Sequence, residues 1–138
     1  ARVLASYLLK VVQTEDWDFD LVVPVPLSVG KLQQRGYNQA ERLARPLAKA
    51  MGKQFTADGL FRTREIASQV NLDSQSRREN VRGAFEADPA IVKGKRILLV
   101  DDVFTTGATL ESASEALRDA RSGLIYCVTV GKSDFMVN

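Results

Sequence analysis

Leu98-Leu99-Val100-Asp101-Asp102-Val103-Phe104-Thr105-Thr106-Gly107-Ala108-Thr109-Leu110 decides how this chain folds. The apolar run from Arg96 to Val100 does not alternate, so it reads as a strand buried on both faces, the mark of a parallel sheet. It ends in two adjacent carboxylates. A hydroxyl-rich turn with one glycine follows, then a helix expected from about residue 109 to 118, with Leu110, Ala113, Ala116, Leu117 and Ala120 inward. Ligands of open α/β sheets sit at the carboxyl ends of strands. The first turn of a helix adds N–H groups without intrahelical partners and a partial positive charge, which together hold a phosphate. Thr105, Thr106 and Thr109 supply hydroxyl donors, and Gly107 lets the backbone approach an anion closely. Asp101 and Asp102 would repel a bare phosphate but suit a ligand that also presents a vicinal diol, as a ribose does. Alone, an Asp-Asp pair or a Thr-Thr-Gly would be turn acids and a capping threonine. Placed together after a buried strand, they read as a socket.

Around this stretch the chain alternates strand and helix. Val3, Leu4, Tyr7, Leu8, Val11 and Val12 give residues 2–13 a helical apolar stripe. Residues 21–26, LVVPVP, are a second buried strand ended by its prolines. Ala40, Leu43, Ala44, Leu47, Ala48 and Met51 place a helix at 38–51, with Gly52 as its C-terminal cap. Residues 59–63 suggest a short strand and 124–130 a third buried one, whereas 64–82 are polar and charged without a period. The fold expected is α/β, with a central parallel sheet of four or five strands flanked by helices. The chain start and residues 64–82 are expected to form a small hood.

The chain has 138 residues, 45% apolar and 26% charged, so one globular domain spanning 1–138 is expected. It contains no histidine, which removes histidine-based triads and imidazole zinc sites. Cys127 is the sole cysteine and no apolar run reaches membrane-spanning length; a cytoplasmic protein without membrane attachment is the simplest reading. The first residue is Ala1 and the helical pattern begins at once, which suggests the C-terminal part of a longer protein. Residues 31–82 carry eleven basic and five acidic groups, whereas the flanking segments are mildly acidic, so the positive charge points to a local anion site. No Gly-x-Gly occurs, which excludes the dinucleotide fingerprint. Gly131-Lys132-Ser133 imitates the end of a nucleotide-triphosphate loop, but Tyr126 stands where that loop needs its first glycine.

The stretch from Val100 to Leu110 resembles the signature of type I phosphoribosyltransferases, which bind 5-phosphoribosyl-1-pyrophosphate. The resemblance implies that Asp101 and Asp102 hold the ribose hydroxyls and that Thr105, Thr106, Gly107, Ala108 and Thr109 hold the 5′-phosphate. It also implies a pyrophosphate loop after the first core strand, here Val25, Pro26, Leu27 and Ser28. RGYNQAERLA from Arg35, QSRRENVRGAF from Gln75 and LLVDDVFTTGATL from Leu98 narrow the resemblance to the competence protein F (ComF) family and its GntX-like relatives. Members of that family usually carry an N-terminal zinc ribbon, which is absent here. They also usually have a Gly-Ala turn where this chain has Ala120-Arg121-Ser122-Gly123.

By the same resemblance, 64–82 is a loop that closes over the site, with Arg77 and Arg78 neutralising pyrophosphate. Its plainer reading is a solvated basic face, or a surface for nucleic acid or a protein partner. Lys31 and Arg35 are further candidate cations. Displacing pyrophosphate from the ribose C1 needs no protein nucleophile, so the missing histidines are no obstacle. Mg²⁺ is the implied cofactor, held mainly by the ligand and water with Asp101 and Asp102 nearby, so no dense carboxylate cage is expected. Two readings stand. One is an enzyme transferring the phosphoribosyl group to an acceptor that no stretch of the sequence names. The other is a non-catalytic binding or regulatory module in DNA uptake or utilisation. DNA-uptake proteins and a second copy of the chain are the partners the resemblance implies.

Overall fold

The computed structural model describes residues 2–27, 32–34, 36–63, 84–102, 107–130 and 135–137. In chain order the elements are α1 (Arg2–Glu15), β1 (Leu21–Pro24), α2 (Gln39–Met51), β2 (Gln54–Phe55), β3 (Leu60–Arg62), β4 (Phe85–Ala87), α3 (Pro89–Val92), β5 (Ile97–Asp101), α4 (Ala108–Asp119), β6 (Ile125–Val130) and β7 (Phe135–Val137). A five-stranded sheet has the order β2-β1-β5-β6-β7; β3 and β4 form a separate antiparallel ribbon. β2, β1, β5 and β6 run parallel and β7 antiparallel, so an otherwise parallel sheet ends in one reversed strand.

The continuous apolar strands divide their side chains by parity. Leu21, Val23, Ile97, Leu99 and Cys127 face α4 and the β3–β4 ribbon, packing with Leu110, Ala113, Leu117, Leu60 and Phe85. Val22, Leu98, Val100 and Val128 face the opposite layer, with Leu43, Ala44, Leu47 and Ala48 of α2 and Val12 of α1. Period-two alternation in strands covered on both sides produces two cores from one sheet. The chain-start helix, expected to help form a hood, packs against α2 in this second layer instead, because Val12 is buried and Leu9 packs beside it. The other expected part of the hood, residues 64–82, lies outside the described residues; the β3–β4 ribbon stands on either side of it in the chain. There the Thr63 N–H donates to Ala84 O at 2.8 Å.

The ends of the elements follow local chemistry. Asn38 is the N-cap of α2 rather than its first residue, its side chain accepting from the Ala40 N–H at 3.0 Å. Gly52 closes α2 at φ 66 in the left-handed region, as its glycine predicts. The end of α4 is a six-residue cap, with the Ser122 N–H donating to Leu117 O and the Arg121 N–H to Arg118 O. The left-handed position of that cap, usually a glycine, is held by Arg121 at φ 67. The departure at Ala120-Arg121 therefore leaves the turn's hydrogen bonds intact.

At the amino edge of the sheet, Arg96 ties β5 to β1. Its Nη2 donates to Asp20 Oδ1 at 2.8 Å, its Nε and backbone N–H reach Asp20 Oδ2, and Nη1 pairs with Asp18. The hydrogen bonds from the Arg96 side chain and backbone hold the Asp20 carboxyl below the usual carboxylate range. Nearby, Trp17 stacks on Tyr126 with ring centroids 5.0 Å apart.

Candidate functional site

The opposite, carboxyl edge carries the residues singled out from sequence. β5 is buried throughout and delivers Asp101 at its end, 9% exposed. Asp101 Oδ1 accepts the Asp102 N–H at 2.8 Å, a bond that bends the backbone out of the strand. Burial pushes the Asp101 carboxyl up to about 7; the hydrogen bond from the Asp102 backbone opposes this, the Asp102 charge adds to it, and the Arg62 charge again opposes it. Asp102 is half-buried. The two acids are therefore not equivalent: one supports the strand exit from within, and the other stands nearer solvent.

α4 starts at Ala108, immediately after Gly107, which is at φ 81 and ψ −5. A residue with a Cβ rarely takes this conformation, so the glycine makes the sharp entry into the helix possible. Gly107 caps the helix without a side-chain bond, and its carbonyl accepts the Glu111 N–H at 2.9 Å. Thr109 lies in the first helical turn and is not the cap. Ala108 and Thr109 thus occupy the end of a twelve-residue helix where the dipole favours an anion.

The neighbouring exit, of β1, is built as carefully. Pro24 pairs with Val100, and the Val25 N–H extends the ladder to Val100 O at 2.8 Å. The next two carbonyls are claimed by side chains: Asn38 Nδ2 donates to Val25 O at 3.1 Å and Arg62 Nε to Pro26 O at 2.8 Å. A cavity of about 410 Å³ opens here, lined by Pro24, Pro26, Leu27, Tyr37, Asn38 and Glu41 among others.

The structure therefore brings Asp101, Asp102, Gly107, Ala108, Thr109, Val25, Pro26 and Leu27 to the ends of two adjacent strands. Thr105, Thr106, Ser28, Lys31, Arg35, Arg77 and Arg78 lie outside the described residues. Arg62 and Thr129 were missed. Thr129 pairs with Asp101 across β5 and β6, and its buried Oγ1 bonds to no described group. A lone threonine in an apolar strand gives no signal until register places it opposite a carboxylate, and a lone arginine none until the fold brings it to the Pro26 carbonyl. Among the described residues no group of three or more carboxylate or thiol ligands could cage a metal. None of the described helices is long and apolar enough to cross a membrane.

A parallel sheet whose central strand ends in two acids before a glycine-hinged helix start is the arrangement that the sequence resemblance implies. A profile described as "Phosphoribosyl transferase domain" matches residues 32–133. The "DNA utilization protein YhgH" of Escherichia coli O157:H7 is 35% identical over 111 residues, 79% of this chain and 48% of that protein. "Competence protein F" of Haemophilus influenzae is 35% identical over 103 residues, 72% of this chain and 44% of that protein. The solved "allosteric regulatory enzyme of purine biosynthesis" shares the fold at a TM-score of 0.62, with 23% identity over 91% of this chain and 24% of that one. The chain belongs to the phosphoribosyl transferase domain family, among its competence protein F-like members. It spans about half the length of the curated relatives it matches.

Proposed function

We propose that this domain binds 5-phosphoribosyl-1-pyrophosphate together with Mg²⁺ at the carboxyl edge of its sheet and can transfer the phosphoribosyl group to an acceptor. The observation that carries this is the strand end itself: Asp101 and Asp102 are followed, after a short turn, by Gly107 at φ 81 and the start of α4. Asp102, nearer solvent, accepts from the ribose hydroxyls, and Asp101 orients it through the Asp102 N–H. The first turn of α4 takes the 5′-phosphate, joined by Thr105 and Thr106. The β1 exit takes the pyrophosphate, with Lys31, Arg35, Arg77 and Arg78 as the cations that neutralise it. As the C1 bond to pyrophosphate breaks, positive charge develops at the ring and negative charge on the leaving group, so positioning and electrostatics supply the catalysis. A donor set of two acids, one of them buried, suits a Mg²⁺ that would be held mostly by ligand oxygens and water, with Asp102, nearer solvent, as the acid that would help hold it. Bound Mg²⁺ would supply charge neutralisation to the departing pyrophosphate.

A second reading, a non-catalytic module in DNA uptake or utilisation that senses the same ligand, is supported by the names of the similar proteins. Calorimetric titration of 5-phosphoribosyl-1-pyrophosphate with Mg²⁺ tests what the two readings share. Binding is expected in the wild type and its loss in Asp102→Asn; a wild type that does not bind overturns both. Pyrophosphate release with a panel of nucleobases then separates transfer from sensing.

A further inference from the structure

We infer that Arg62 is a positioning residue for the leaving-group end of the ligand: from the β3–β4 ribbon it sets the β1 exit so that the Leu27 N–H is presented to the pyrophosphate. The inference rests on the proposed function. Arg62 Nε donates to Pro26 O at 2.8 Å, across 36 residues of sequence. Its guanidinium carbon lies 4.7 Å from the centroid of the Phe85 ring, and Phe85 is its register partner in the ribbon. Phe85 and the adjacent Ala84 are buried in the core, so the platform under the guanidinium is fixed. The preceding carbonyl, Val25 O, is held by Asn38, whose own carbonyl oxygen caps α2. The exit is thus clamped from the ribbon through one carbonyl and from α2 through the other.

This clamp decides where the next donor points. Pro26 has no N–H, so the first amide after Val25 able to donate is that of Leu27. In a trans peptide the N–H lies antiparallel to the C=O, and no cis peptide occurs among the described residues. With Pro26 O committed to Arg62, the Leu27 N–H points the opposite way. It meets no acceptor among the described residues, which leaves it for an incoming anion. Arg62 thereby acts on the pyrophosphate through the loop.

Two probes that differ in one group test this. 5-Phosphoribosyl-1-pyrophosphate and ribose 5-phosphate, each with Mg²⁺, are titrated calorimetrically into the wild type, Arg62→Met and Arg62→Lys. Methionine keeps an unbranched stem over Phe85 but removes the donor, whereas lysine restores one. In Arg62→Met the pyrophosphate-bearing ligand should bind about tenfold or more weakly, while ribose 5-phosphate stays within about twofold, and Arg62→Lys should recover part of the loss. Equal weakening of both ligands, or of neither, removes Arg62 from this role and leaves the proposed function standing. A wild type that binds neither ligand overturns the proposed function, and this inference with it. Should Arg62→Met fail to fold in a thermal scan, Arg62→Gln carries the same comparison.

Discussion

Asp101→Asn isolates the charge that the fold buries at its carboxyl edge. The side chain is 9% exposed, and its acidity shifts from the ordinary 3.8 to about 7, mainly through desolvation. Between those values the folded state holds the proton more tightly than the unfolded chain. The contribution to stability is therefore complete below pH 3.8, declines as the pH rises to about 7, and is level above that. At about 1.36 kcal/mol per pH unit, this interval gives a ceiling of about 4 kcal/mol. Asparagine keeps the oxygen that accepts the Asp102 N–H at 2.8 Å and never ionises. Urea unfolding of both proteins at about pH 4 and about pH 8 reads the difference. The wild type should lose stability between the two conditions by about 2–4 kcal/mol more than Asp101→Asn does. Equal losses in the two proteins would refute the assignment of a desolvated carboxylate to this position.

Gly107→Ala should destabilise the fold by about 1–2 kcal/mol, because a Cβ at φ 81 meets the left-handed penalty; a thermal melt reads the change. The same variant should weaken ribose 5-phosphate binding in calorimetry, since it disturbs the helix entry proposed to hold the phosphate. Arg121→Gly should act in the opposite direction, raising stability in denaturant unfolding by about 0.5–1 kcal/mol, because glycine suits the φ 67 cap that arginine holds under strain.

Much of this architecture is legible in the sequence wherever a hydrophobic run is long enough to show its period. β1, β5 and β6 appear as continuous apolar stretches, and α2 and α4 as stripes, with boundaries within one or two residues of those observed. β2, with two residues, and β4 and β7, with three each, are too short to carry a period. Their strand character comes from pairing with β1, β3 and β6 respectively. α3 has four residues and is announced only locally, by Asp88 as its cap and Pro89 at its start. At the site, the positions of Asp101 and Asp102 follow from the strand that precedes them. Their unequal burial does not, because it depends on the sheet's two covering layers. The Arg62–Pro26 bond and the Asp101–Thr129 pairing lie further from local pattern still, joining segments that only the assembled sheet makes neighbours.

The Arg96 cluster occupies the end of the β1–β5 pair opposite the two acids. Anchorage and chemistry are thereby assigned to opposite poles of the same two strands. A substitution at the carboxyl pole therefore leaves the Arg96–Asp20 contacts in place, and a substitution at Arg96 loosens the strand pair without touching the acids.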